Sequence, residues 1–145
     1  MKPRIDTITL AVKDLDRSLR FYRDGLGMGT EGIIGTEFPG AETLPAGRVA
    51  MFNLDGGMIL ALYPATELAK DAGVDPEKMT GSGFSIGHTV QTRAEVDELL
   101  TAAQVAGGTI VGTVGERPWG IYSGYFADPD GHLWEVVNFL GSSRP

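Results

Sequence analysis

The residues of this 145-residue chain with the clearest chemical potential lie near its end, in "GYFADPDGHLWEVVNF", Gly124 to Phe139. Asp-Pro-Asp-Gly between two apolar, aromatic-rich runs reads as a strand, a tight turn and a second strand, and Glu135 falls in the middle of that second strand. A carboxylate placed there can ligate a metal, act as a general base, or accept a hydrogen bond in a polar network. Asp128 at the first turn position, Pro129 next and Gly131 at positive φ make both aspartates turn formers. With a three-residue loop Asp128 pairs with His132, and Tyr125 lies opposite Glu135 on the same face; a two-residue loop would turn Tyr125 away. Glu135 and Tyr125 are therefore the catalytic candidates. A lone carboxylate nevertheless favours ligand contact or a structural network over turnover.

Strand alternation sorts the neighbouring groups. Trp134 shares parity with His132 and Val136 and is expected in the helix-side core. His88 shares parity with Ile86 and Val90, so neither histidine is expected to meet Glu135 at one ion. Trp119, in the Gly-flanked loop "GERPWGIYSG", is placed either to stack on a ligand at a cup rim or to anchor its own loop.

The elements that position these groups occur twice. "ITLAVKDLDRSLRFYRDGLG" pairs an alternating strand with a helix, and "FSIGHTVQTRAEVDELLTAAQVAGG" does the same. Further on, "MFNLDGGMILALY" aligns without a gap to "YFADPDGHLWEVV", Met51 with Tyr125 and Gly57 with Gly131. Each half reads strand, helix, strand, strand, strand. Asp14 is an expected N-cap ahead of Leu15, Leu19, Tyr22 and Leu26, and Thr92 with Glu95 forms a capping box before Val96, Leu99, Leu100 and Ala103. The helix stripes bury against Ile8, Leu10 and Val12, which leaves Ile5, Thr7, Thr9 and Ala11 on a more polar sheet face. The fold class is α+β: two βαβββ modules in pseudo-symmetric repeat, with curled mixed sheets forming a cup and helices outside. One domain is expected over 1–145, with module one at about 1–66, a linker at about 67–82 and module two at about 83–145.

Composition narrows the function. Twelve Lys and Arg against nineteen Asp and Glu leave a net charge of −7, so nucleic acid and anionic membranes are not expected partners. With no cysteine there is no thiolate nucleophile and no Cys-bound metal. The opening residues lack an apolar leader segment and no apolar run spans a bilayer, so a cytoplasmic location is expected.

A paired βαβββ repeat carrying "VKDLDRSLRFYRDGLGM" and "FADPDGHLWEV" resembles the vicinal oxygen chelate superfamily of glyoxalase I, extradiol dioxygenases, fosfomycin-resistance transferases and bleomycin-resistance proteins. The resemblance covers nearly the whole chain. It implies a divalent metal held on the cup face at pseudo-symmetric positions, one of them Glu135. The internal alignment makes Ala61 its mate, and the opening strands contribute Thr7 and Ser85. Two hydroxyls and a methyl do not replace two imidazoles and a carboxylate, so no metal is expected and no cofactor is assigned. By analogy with the extradiol branch, Tyr125, ten residues before Glu135, occupies the place of a catalytic tyrosine. The expected function is a metal-free protein that binds a cationic or aromatic small molecule through Thr7, Thr9, Ala61, Ser85, Trp119, Tyr125 and Glu135. The other reading is a metal-dependent glyoxalase-like lyase or isomerase, or an extradiol-type dioxygenase. For a glutathione-handling enzyme, Arg48 and Arg117 are the isolated basic candidates. A homodimer is expected, because the superfamily completes its cups by pairing halves within or between chains.

Overall fold

The computed structural model describes residues 1–79 and 83–141. The first module runs β1 (Thr7–Val12), α1 (Leu15–Leu19) and a π-helical turn (Arg20–Gly25), then β2 (Ile33–Ile34), β3 (Val49–Asn53) and β4 (Ile59–Pro64). Helix α2 (Ala65–Ala72) and a short 3-10 turn (Pro76–Lys78) lead to the second module: β5 (Ser85–Val90), α3 (Arg93–Val105), β6 (Thr109–Arg117), β7 (Ile121–Ala127) and β8 (Leu133–Phe139). The strands form two mixed four-stranded sheets of the same plan, β1-β4-β3-β2 and β5-β8-β7-β6. In each, the opening strand pairs parallel with the last strand of its module.

Local signals place the helices. The Asp14 carboxylate accepts from the Arg17 backbone N–H, and Thr92 and Glu95 form the reciprocal capping box that starts α3. The first helix departs from the regular period: beyond Leu19 it widens into a π turn, and Phe21 and Tyr22, consecutive in sequence, are both buried. A Cβ on Gly25, at the end of that turn, would overlap the Ala106 methyl at the end of α3. Gly25→Ala is accordingly expected to cost about 1–3 kcal/mol through overpacking, read as a lower urea midpoint with an unchanged slope.

One core serves both modules. Tyr22 packs at 6.0 Å on Phe52 of the first sheet and at 6.0 Å on Trp134 of the second, while Phe21 lies 6.2 Å from Phe126. Leu10, Leu60, Leu62, Val96, Leu100 and Val136 fill the space around them. The helix-side faces of both sheets therefore look inward onto the same aromatic cluster. Their other faces are turned away from that core, with Thr7, Thr9, Met51 and Ser85 exposed on them, and no strand of one sheet pairs with a strand of the other.

Candidate functional site

The β7–β8 hairpin adopts the three-residue register. Asp128 N–H donates to the His132 carbonyl, Gly131 has φ 89°, and Tyr125 is the direct cross-strand partner of Glu135. On the outward face of the second sheet, Glu135 also pairs in register with Gly87, and Ser85 lies one pleat away on β5. Tyr125, Ser85, Phe84, Val111, Leu133 and Arg117 line an open hollow of about 540 Å³. Burial holds the Tyr125 hydroxyl above the ordinary tyrosine range, with the Glu135 carboxylate reinforcing it and Arg117 opposing it. Tyr125 is thus a neutral hydrogen-bond donor near neutral pH.

Thr9, Ala61 and Met51 are neighbours across β1, β4 and β3, with Thr7 one pleat before Thr9. They lie on the outward face of the first sheet. Within one chain the structure thus joins Tyr125, Glu135 and Ser85 in one group and Thr7, Thr9 and Ala61 in another, and it keeps the two groups on separate sheets. Trp119 is 71% exposed at the β6–β7 turn and is not among the residues lining the hollow. Arg48 is bound to Asp16 at 2.9 Å, away from the cup face.

Arg117 is the residue that sequence reasoning left isolated and the fold brings into the cup. A bulge in β6 between Val111 and Gly115 sets Arg117 opposite Ile121. Its guanidinium reaches back along β7, donating from Nε to Ser123 Oγ at 3.3 Å and from Nη2 to the Thr113 carbonyl at 2.7 Å. The irregular ladder is what the sequence conceals, since a regular register would give the side chain other neighbours.

The donor set does not fit a divalent ion. Among Thr7, Ala61, Ser85 and Glu135 only Glu135 is a strong ligand, and among the described residues no group of three His, Asp or Glu side chains is arranged to hold a metal ion. His88 shares the register of Val136, on the face opposite Glu135, and is exposed there. His132 is buried and committed elsewhere. Its Nδ1 lies 2.7 Å from Asp128 Oδ2, which also accepts from the Tyr22 hydroxyl at 2.6 Å; Trp134 Nε1 in turn donates to that hydroxyl at 3.0 Å. Asp128 Oδ1 caps the backbone N–H groups of Asp130 and His132. Asp130 Oδ1 accepts from the Lys13 N–H at 2.9 Å and from Arg17 Nη2 at 3.2 Å. The two aspartates form the turn as expected, and they also clasp the first module's helix to the second module's hairpin. That second role depends on a partner more than a hundred residues away, which no local pattern reveals.

Burial works to raise the Asp128 carboxyl, but the His132 ring and Tyr22 hydroxyl outweigh it and hold it below its usual 3.8. Burial likewise works to lower His132, and the Asp128 carboxylate outweighs it and raises the ring above 6.5. The raised His132 contributes stability that is complete below about 6.5 and is lost as pH rises through its folded value; the depressed Asp128 contributes stability present above about 3.9 and lost as pH falls through its own. The pair is therefore expected to stabilise most between about pH 4 and pH 6.5. Urea midpoints should decline as pH rises above about 6.5, and His132→Gln should flatten that decline. Equal slopes in the variant and the wild type would exclude His132 as the cause.

The geometry agrees with comparison to known proteins. The Glyoxalase/Bleomycin resistance protein/Dioxygenase superfamily model matches residues 4–136, and the chain belongs to that superfamily. Among solved structures it is similar to a glyoxalase-related enzyme from Fulvimarina pelagi, at 28% identity over 94% of this chain and 88% of that one, with a TM-score of 0.76. It is also similar to a glyoxalase/bleomycin resistance protein/dioxygenase from Nocardioides, at 26% identity over 100% and 89% of the two chains, with a TM-score of 0.70. A hypothetical protein from S. aureus shares the fold at 22% identity over 95% and 94%, with a TM-score of 0.74. No curated protein sequence matches the chain. Among the described residues, no helix is long and apolar enough to cross a membrane.

Proposed function

We propose that this chain is a metal-free, small-molecule-binding member of the superfamily that works as a homodimer, the second module of one copy and the first module of another closing each cup around a cationic or aromatic ligand. The observation that carries this reading is that both cup faces lie on the side of their sheet away from the shared core, with Thr7, Thr9, Met51 and Ser85 exposed. A ligand resting on Tyr125 and Glu135 has a floor within one chain and no roof.

The uncovered side chains fit closure by a second copy. Ile5 and Met51 are exposed on the first face, at 65% and 39%, and Phe84 and Val111 border the hollow on the second, at 49% and 39%. Apolar groups grouped on faces of an acidic chain are candidates for burial in an interface. Thr7, Thr9 and Ala61 of the second copy would then oppose Ser85, Tyr125 and Glu135. The two threonines offer hydroxyls against a ligand's body and Glu135 provides an anionic contact, while Ala61, buried at 3% exposure, lies beneath them. A metal-dependent lyase, isomerase or dioxygenase would need an ion held by the same residues, whose donor chemistry argues against it.

Sedimentation equilibrium of the wild type and Met51→Arg, with a thermal-shift screen of cationic and neutral aromatics, tests the reading. The wild type should be a dimer stabilised by some of these compounds. Met51→Arg should be a folded monomer without that response, and Glu135→Gln should weaken it. A wild-type monomer that binds as well would defeat the shared-cup proposal. Stoichiometric, high-affinity Ni, Zn, Mn or Fe(II) in protein purified without chelator or affinity tag would defeat the metal-free part.

A further inference from the structure

We infer that the cup selects an aromatic zwitterion, with the ligand's ammonium on Glu135 and its carboxylate on Arg117. The inference rests on the proposed binding function and narrows the cationic ligand of that reading to one that also carries an acid.

Two charges on the cup face, Arg117 and Glu135, have no protein counter-ion among the described residues. They share the outward face of the second sheet and still do not pair with each other. Register explains why. Glu135 stands opposite Tyr125, while the Arg117 head is tied to Ser123 one pleat along β7, and to the Thr113 carbonyl on its far side. A pleat along one face spans about 7 Å, too long for a direct pair and suited to the separated charges of one small molecule.

Arg117 is also preorganised. Its Nε and Nη2 are occupied by protein acceptors, one of them the buried Ser123 hydroxyl, so the plane of the guanidinium is fixed. Nη1 has no protein acceptor among the described residues and remains to donate to a ligand. An arginine held this way recognises a carboxylate at a lower ordering cost than a free surface arginine. Tyr125, the cross-strand partner of Glu135 and a neighbour of Arg117 in the lining of the hollow, adds a neutral hydroxyl. Phe84, Val111 and Leu133 surround the hollow with apolar surface, where a ring can be removed from water. A purely cationic aromatic would leave Arg117 beside a like charge, and a purely anionic one would leave Glu135 so. A zwitterion satisfies both.

Three probes on one skeleton separate the terms: phenylalanine carries both charges, phenethylamine the ammonium alone, and hydrocinnamate the carboxylate alone. Calorimetric titration of the wild-type dimer should show phenylalanine binding at least about tenfold tighter than either singly charged probe. Arg117→Met, which keeps the apolar stem, should abolish the preference over phenethylamine. Glu135→Gln should abolish the preference over hydrocinnamate. Arg117→Lys keeps the charge without the fixed fork and should retain part of the first preference, which guards against a loosened β6 bulge being read as lost recognition. Phenethylamine binding as tightly as phenylalanine overturns the zwitterion while leaving the proposed cationic binder standing. Hydrocinnamate binding as tightly removes the role given to Glu135 and overturns the inference. If none of the three probes binds a confirmed dimer, the inference and the aromatic-ligand reading fall together.

Discussion

Asp128→Ala is expected to lower the stability of this protein by about 3–5 kcal/mol, far more than the loss of an ordinary turn residue. The residue is 4% exposed and its carboxylate receives four donors: the backbone N–H groups of Asp130 and His132, the Tyr22 hydroxyl and the His132 ring. Alanine leaves all four without an acceptor, three of them on groups belonging to or abutting the shared core. Removing one partner from a buried charged pair is costly because the other charge stays behind in a poorly solvating environment. Asp128→Asn keeps an acceptor for the backbone groups but replaces the oxygen facing Tyr22 and His132, or rearranges to spare it, and should fall between alanine and wild type. Urea denaturation of the three proteins at one pH measures this directly. If Asp128 were only a turn former, alanine would cost about 1 kcal/mol, and a result of that size would refute the clasp.

Phe126→Ala should be comparably severe, at about 3–5 kcal/mol, and should weaken both modules together. Phe126 is 1% exposed, stacked at 5.9 Å and 5° on Trp134, and 6.2 Å from Phe21 of the other module. A cavity here removes packing from the seam as well as from the second sheet. Hydrogen exchange distinguishes seam from local core. Amides of Ala50, Phe52, Leu60 and Leu62 in the first sheet should lose protection in step with those of β7 and β8. Unchanged protection in the first sheet would show that the modules unfold separately and that the common core is less cooperative than its geometry implies.

The same residues show how far sequence carried the interpretation. Capping at Asp14 and at Thr92 with Glu95, the positive φ of Gly131 and the pairing of Tyr125 with Glu135 were all legible, because each depends on bonds within a few residues or on the two-residue period of a strand. Trp134 and His132 were assigned to the helix side by the same period. What lay beyond sequence was their company. Asp128 reads as a turn aspartate until Tyr22 arrives from the first module, and Arg117 reads as an isolated cation until a bulge turns it over Ser123. The π turn that buries Phe21 and Tyr22 side by side breaks the regular helical period on which any stripe argument depends.

By itself, then, the sequence determined the repeated βαβββ plan, the face on which each strand residue lies, and the pairing that sets Tyr125 against Glu135. Only the tertiary structure decided that both cup faces lie on the side of their sheet away from the core, that one aromatic core binds the modules together, and that Arg117 and Glu135 share a sheet face without pairing. Side-chain alternation follows from local backbone geometry and is written in a few consecutive residues. How two sheets meet is settled by burying the aromatic side chains of both modules at once, a requirement that belongs to no single segment of the chain.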